Sequence, residues 1–291
     1  MKKLKTSKLL ILAVLAMTFM NCGDKTDDLP PIGGYNKADD VAASNLVAYW
    51  AFNGNGQEAK SSAVPSNSVN SSFVTGKKGQ GLSLNRGYLL YNEIAALKNL
   101  PSYSVSAWIN VSNNKNTINA SSPIFSLTRA GEWAGNINLM CETAWFDSAS
   151  DTLVVKGLNV SKVGVDDSWQ DTRNEPSNGG AQAFKGAGKW IQAILVWDAI
   201  TSKFKVYGDG VKISNPDWEL RLHAGNQIGA LVFSLPTRPL IGAWGPNAGL
   251  GGLEEPWQVP LTGKIDELRI FNKALTDAEI DALYKLENAG R

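Results

Sequence analysis

Residues 261 to 280 read Leu261-Thr-Gly-Lys-Ile-Asp-Glu-Leu-Arg-Ile-Phe-Asn-Lys-Ala-Leu-Thr-Asp-Ala-Glu-Ile280. The stretch from Lys264 to Phe271 is a period-two run, the pattern of a strand with one face buried. A few residues on, Thr276-Asp-Ala-Glu279 is a capping box. Its hydroxyl and carboxylate satisfy amides that the first helical turn leaves without partners, and Ile280, Leu283 and Tyr284 then form one apolar face. A strand followed by one short helix therefore closes the domain.

Further period-two runs precede it: Leu46 to Phe52, Gly81 to Tyr91, Tyr103 to Val111, Pro123 to Leu127, Ile137 to Cys141, Trp190 to Trp197 and Phe204 to Tyr207. Tyr207-Gly-Asp-Gly210 has hairpin-turn chemistry, since positive φ costs little there. Short strands between turn residues predict an antiparallel two-sheet sandwich. No internal repeat is visible.

Three more segments join the closing one in a shared pattern: Leu46-Val-Ala-Tyr-Trp-Ala-Phe-Asn-Gly-Asn55, Tyr103-Ser-Val-Ser-Ala-Trp-Ile109 and Gly188-Lys-Trp-Ile-Gln-Ala-Ile-Leu-Val-Trp-Asp198. In this order and spacing they resemble a laminin-G-like, concanavalin A-like jelly-roll domain of bacterial surface proteins. The resemblance runs from Asn45 to Tyr284 and implies stacked concave and convex antiparallel sheets, with ligand-holding loops beside the concave face. Residues 142–188 and 214–260 match nothing in it and are expected to be long loops. The family includes carbohydrate-binding modules, lectins and glycan hydrolases, so the fold alone does not choose a function.

The N-terminus gives the address. Lysines at 2, 3, 5 and 8 precede an apolar run from Leu9 to Met20, and Cys22 follows. This is the layout of a signal peptide over residues 1–21, and the run is shorter than the roughly 20 residues a spanning helix needs. Cys22 is the expected lipid attachment point, so the membrane is reached through a lipid anchor alone. The acidic Gly-Asp-Lys-Thr-Asp-Asp stretch after it resembles an export signal to the outer face of a Gram-negative outer membrane; a plain solvated tether has the same composition. Residues 22–44 lack apolar periodicity and are expected to be a flexible tether, with the folded domain spanning 45–291.

Removing the four signal-peptide lysines from 28 basic residues leaves 24 against 27 acidic ones, which offers no electrostatic footprint for nucleic acid. With Cys22 lipidated, Cys141 has no partner for an intramolecular disulfide, and stability must come from a core.

Ten tryptophans carry the functional argument, because an aromatic ring stacks on the apolar face of a sugar while polar neighbours hydrogen-bond its hydroxyls. Trp50, Trp108, Trp190 and Trp197 fall in the strands and are expected in the core. Trp133, Trp145, Trp169, Trp218, Trp244 and Trp257 lie among Gly, Asn, Asp and Pro in the loop-rich stretches. Trp133, Trp145, Trp169, Trp244 and Trp257, together with Arg173 beside Trp169, are the candidate carbohydrate-binding set. The alternative reading is that these tryptophans plug the ends of the sandwich.

The resemblance also implies a structural calcium site at Asn53, Glu58 and Asp266, since hard cations take several oxygen ligands. Glu58 stands where the family more often has Asp, and Ala63-Val-Pro-Ser66 replaces a glycine-rich continuation. The alternative is that Asp266 and Glu267 face opposite sides of a strand, one paired with a base. No Glu-x-Asp-x-x-Glu pattern of retaining glycosidases occurs, and His223 has no serine or cysteine partner motif. The expected function is thus a non-catalytic carbohydrate-binding lipoprotein at the outer-membrane surface, working beside glycan-uptake proteins. A protein-interaction or adhesion module and a glycoside hydrolase or lyase are the alternatives.

Overall fold

The computed structural model describes residues 29–174 and 183–291. The signal peptide and Cys22 lie outside the described residues. Within them, no helix is long and apolar enough to cross a membrane.

Fifteen strands run in chain order: β1 (Leu46–Trp50), β2 (Asn67–Thr75), β3 (Gln80–Leu90), β4 (Tyr103–Asn110), β5 (Ser122–Leu127), β6 (Ile137–Cys141), β7 (Val155–Val163), β8 (Asp166–Arg173), β9 (Ile191–Asp198), β10 (Lys203–Gly208), β11 (Val211–Lys212), β12 (Leu222–His223), β13 (Asn226–Gln227), β14 (Pro239–Ile241) and β15 (Leu261–Phe271). One helix, α1 (Asp277–Asn288), follows. Thirteen strands form a single antiparallel sheet in the order β11-β10-β9-β4-β15-β3-β14-β5-β6-β7-β8, with β1 added to β15 and β2 to β3. The sheet curls over on itself: a Cβ on Gly157 of β7 would lie 2.1 Å from Leu195 of β9. The two halves therefore pack as the two layers of a concanavalin A-like jelly roll.

Between the layers lies one apolar core, including Trp50, Tyr91, Phe125, Leu139, Val155, Leu195, Trp197, Phe204 and Ile265. Trp50, Trp108 and Trp197 are buried as expected, whereas Trp190 is only half-buried. Cys141 is buried and free, and desolvation pushes its thiol pKa up, so it packs as an apolar group.

A second cluster sits on the outer face of β9, β10 and β15, where Ile194, Val196, Tyr207 and Phe271 meet Ile280, Leu283 and Leu286 of α1. The capping box forms: Glu279 N donates to Thr276 Oγ1 at 3.2 Å, and Thr276 N donates to Glu279 Oε2 at 2.8 Å. Tyr284 is half-buried and stacks on Trp108 at 5.8 Å.

The expected flexible tether over residues 22–44 needs correction from Leu29 onward. Ala38 and Val41 join the α1 cluster, and Asp39 pairs with buried Arg269 at 2.7 Å. The Arg291 side chain donates to the carbonyls of Leu29, Pro30 and Asn36. The segment is polar enough to read as a linker. It is nonetheless fixed, because C-terminal donors meet its carbonyls and two small apolar side chains fill the gap beside α1.

Residues 142–188, expected as a loop, contain the β7–β8 hairpin, whose charged residues Lys156, Asp171 and Arg173 share the outward face of a sheet layer. Strand β2 and the short β12, β13 and β14 also exceed the expectation; β2 is polar at its exposed positions and gains its structure by pairing with β3.

Candidate functional site

On β7, Val155, Gly157 and Asn159 face the core, so alternation turns Lys156, Leu158 and Val160 outward. Cross-strand register adds Asn138 and Met140 from β6, and Trp169, Asp171 and Arg173 from β8, to the same outer face. Three loops roof this face, the one after β5 from one end of the strands and those after β6 and before β15 from the other. They carry Trp133 after β5, Trp145 after β6 and Trp257 before β15. Two of the neighbouring segments meet backbone to backbone: a Cβ on Gly252 would lie 2.6 Å from Trp133 N, and one on Gly245 2.6 Å from Glu132 O. Arg129 Nε holds the Trp133 loop through Ala134 O at 2.9 Å.

The result is a cavity of about 360 Å³ lined by Ser121, Trp133, Met140, Glu142, Ala144, Trp145, Lys156, Leu158 and Trp257. Its floor is apolar, its walls are tryptophans, and one rim is polar. Trp133 is the hub of the aromatic set, 5.6 Å from Trp169, 5.8 Å from Trp244 and 5.2 Å from Trp257.

Of the six residues predicted from the sequence, Trp133, Trp145 and Trp257 line the cavity. Trp169 extends the aromatic surface on an exposed strand position rather than a loop. Arg173 lies over the rings of Trp145 at 5.4 Å and Trp218 at 5.8 Å, joining a further tryptophan to the ledge. Trp244 is the correction: at 1% exposure it cannot touch a ligand, and it instead buttresses Trp133 and Trp257 edge to face from below. Sequence reasoning missed Ser121, Met140, Glu142, Ala144, Lys156 and Leu158. The β-branched run from Val155 to Val163, bounded by Gly164, was the available signal for a strand carrying Lys156 and Leu158.

The charges at the rim cancel in pairs. Lys156 Nζ lies 2.9 Å from Glu142 and 3.6 Å from Asp171, which also meets Arg173 at 3.1 Å. Arg129 contacts Asp167 at 2.7 Å and covers Trp169 at 5.3 Å. The Asp167 carboxyl is held below its ordinary range by hydrogen bonds from Lys162 and then Arg129. Ser121 Oγ donates to Glu142 at 2.6 Å. Glu142 is the sole carboxylate among the described residues lining the cavity, and Asp171 of the same face reaches it across Lys156 Nζ.

The residues expected to hold calcium do not fit a cation. Glu58 is buried and accepts from Tyr49 N, Lys60 N, Ser61 N and Ser61 Oγ. Asp266 accepts from Lys77 N, Lys78 N and Glu267 N, and Asn53 Oδ1 from Gln80 N. Backbone N–H groups and the Ser61 hydroxyl take up Glu58 fully, Asp266 and Asn53 are committed to backbone donors as well, and no three His, Cys, Asp or Glu side chains gather for a metal among the described residues. Asp266 and Asn53 instead clasp the turn between β2 and β3. Burial pushes the Asp266 carboxyl up to about 7. Simple alternation also fails at this point, because β15 bulges at Glu267, with φ +48°, and Glu267 pairs with Arg269 at 2.8 Å. His223 lies on the small β12–β13 hairpin, away from the cavity.

Comparison with known proteins gives the family. The family model described as "Concanavalin A-like lectin/glucanases superfamily", of laminin-G type, matches residues 83–281. The chain belongs to this superfamily. Among solved structures, it is similar to domain 4 of AbnA, a GH43 extracellular arabinanase from Geobacillus stearothermophilus, in complex with arabinotriose. That match has 18% identity and a TM-score of 0.51, covering 82% of this chain and 98% of that one. The binding domain of botulinum neurotoxin DC in complex with SialylT aligns at 14% identity and TM-score 0.51, covering 85% of this chain and 52% of that one. The binding domain of Paraclostridial Mosquitocidal Protein 1 aligns at 13% and 0.54, covering 84% and 52%. This chain thus spans about half of each toxin binding domain, and at such identities the likeness shows the fold alone. No curated protein matches. Members of the superfamily differ in what their loops carry, so the tryptophan cavity is the feature to explain here.

Proposed function

We propose that this chain is a non-catalytic carbohydrate-binding module, held at the outer membrane by a lipid on Cys22 and presenting the Trp133, Trp145 and Trp257 cavity to a polysaccharide or glycoconjugate. The observation that carries the reading is the composition of that cavity. Indole walls over a Met140 and Leu158 floor suit the apolar face of a sugar ring, and the Ser121, Glu142 and Lys156 rim offers donors and acceptors for its hydroxyls. The solved relatives include a domain bound to arabinotriose and a toxin domain bound to SialylT, which agrees with a sugar ligand.

Glu142 is held by Lys156 and Ser121, and Asp171 by Lys156 and Arg173, a pairing that favours capture over hydrolysis. Calcium has no part in this reading. A service role beside glycan-uptake proteins follows from the proposed location.

The test is a glycan-array screen of the mature chain carrying Cys22→Ser, run with and without chelator and followed by tryptophan fluorescence titration. Binding that shifts the fluorescence, leaves the sugar intact, survives chelator and is lost in Trp257→Ala supports the reading. Absence of any glycan ligand rejects it in favour of a protein partner, and product formation rejects it in favour of an enzyme. Labelled-lipid incorporation abolished by Cys22→Ala tests the anchor.

A further inference from the structure

The tryptophan cavity does not end at Ser121. A second cavity of about 150 Å³ shares Ser121 and continues past Ser112, Thr117, Pro260 and Thr262. A third, of about 290 Å³, shares Ser112 and Thr262 with the second and extends over Ser83, Asn110 and Lys264. Strand pairing explains the far end: Lys264 of β15 stands opposite Asn110 of β4 on one side and Ser83 of β3 on the other, which sets three polar side chains in a row across the sheet. The three hollows form one trough around the end of the sandwich, aromatic at one end and polar along the rest.

The polar stretch is preformed. Asn114 Nδ2 donates to Ala120 O and Thr143 Oγ1, and its Oδ1 accepts from Ala120 N, so the loop from 114 to 120 is held from within. By contrast, the side chains of Asn110, Ser112 and Lys264 face the trough with no hydrogen-bond partner among the described residues. Hydroxyl and amide groups both donate and accept, as sugar hydroxyls do, and a preformed wall spares the ordering cost of binding.

We infer that the site binds an internal stretch of a linear glycan of several units. One ring stacks among Trp133, Trp145 and Trp257, and the chain continues past Ser121 and Ser112 to the Ser83, Asn110 and Lys264 row. Among the described residues, Lys156 at the aromatic end is paired with Glu142 and Asp171, whereas Lys264 at the polar end has no partner and can donate to a hydroxyl or to an acidic group of the glycan. The inference rests on the carbohydrate-binding reading and specifies its ligand.

The test is calorimetric titration of the mature chain with arabino-, xylo- and gluco-oligosaccharides of two to eight units. The expected result is that affinity in at least one series rises about tenfold or more from two units to six and then levels off. Ser112→Tyr, at an exposed position, blocks the trough; it should return six-unit affinity to within about twofold of the two-unit value, while two-unit binding stays unchanged. Asn110→Ala with Lys264→Ala should remove part of the gain without adding bulk. Two-unit binding with no dependence on length, or a gain indifferent to Ser112→Tyr and to the Asn110 and Lys264 changes, overturns the extended trough and leaves the binding module standing. Loss of all binding overturns both.

Discussion

Glu287 on α1 offers the sharpest test of how the sandwich is held closed. It is buried and accepts from Trp108 Nε1 at 2.7 Å, Gln192 Nε2 at 2.8 Å and Arg269 Nε at 2.8 Å. Arg269, itself buried, also meets Glu267 and Asp39, so one carboxylate joins the helix, β4, β9, β15 and the N-terminal segment. Glu287→Ala breaks a buried ion pair, which costs about 3–5 kcal/mol, and orphans two buried donors at about 1–3 kcal/mol each. These groups act as a unit, so the losses do not add, and a net destabilisation of about 4 kcal/mol is expected. At about 2–4 °C per kcal/mol for a domain of this size, the melting temperature should fall by roughly 8–16 °C. Urea unfolding followed by tryptophan fluorescence, with thermal melts by near-ultraviolet circular dichroism, measures both. A loss under about 1 kcal/mol would refute the argument that this network fixes the helix. Replacing the buried charges together, as Arg269→Met with Glu287→Leu and Glu267→Gln, should recover much of the loss, because Glu267 also pairs with Arg269 at 2.8 Å and no buried charge is then left unpaired.

Trp244→Ala removes the buttress beneath the cavity without touching a ligand; it should cost about 3–5 kcal/mol in urea and abolish sugar-induced fluorescence change, and retention of full affinity would remove Trp244 from the site's support. Arg291→Ala should expose residues 29–41 to limited proteolysis while the β-core stays resistant, and an unchanged digest would show that the three carbonyl contacts do not hold the segment. Asp266, whose folded pKa of about 7 is above its unfolded value near 4, contributes stability that is present below pH 4 and lost as the pH rises through 7. Measured against wild type, Asp266→Asn should therefore gain relative stability between pH 5 and 8, and a relative decline would reverse the assignment.

The four matching segments place β1, β4, β9 and β15 in the sequence, and the Thr276 box places α1, because strand alternation and helix capping are local and repeat at short period. Trp50 and Trp197 are legible as core for the same reason. The β7–β8 hairpin is less so, since Lys156, Asp171 and Arg173 make it read as a charged loop until its partner strand is known. The same limit applies to the linker-like segment from Leu29, which is ordered by Arg269 and Arg291 far along the chain.

Composition and loop context were enough to single out Trp133, Trp145, Trp169, Trp244 and Trp257 as a group. Their division of labour was not legible: which tryptophans form the wall, which one is exposed on a strand and which one lies beneath depends on the approach of the Gly245 to Gly252 loop to Glu132 and Trp133. Nor could the sequence join Ser121 to Trp257 on one side and to Ser112 on the other. Ser112 and Ser121 share one loop folded by Asn114, whereas Trp257 lies far along the chain and reaches Ser121 only because the segment before β15 pairs with the start of β5. Local pattern determined the strands, the helix and the kind of residues the loops display; long-range packing alone decided which of them share a surface.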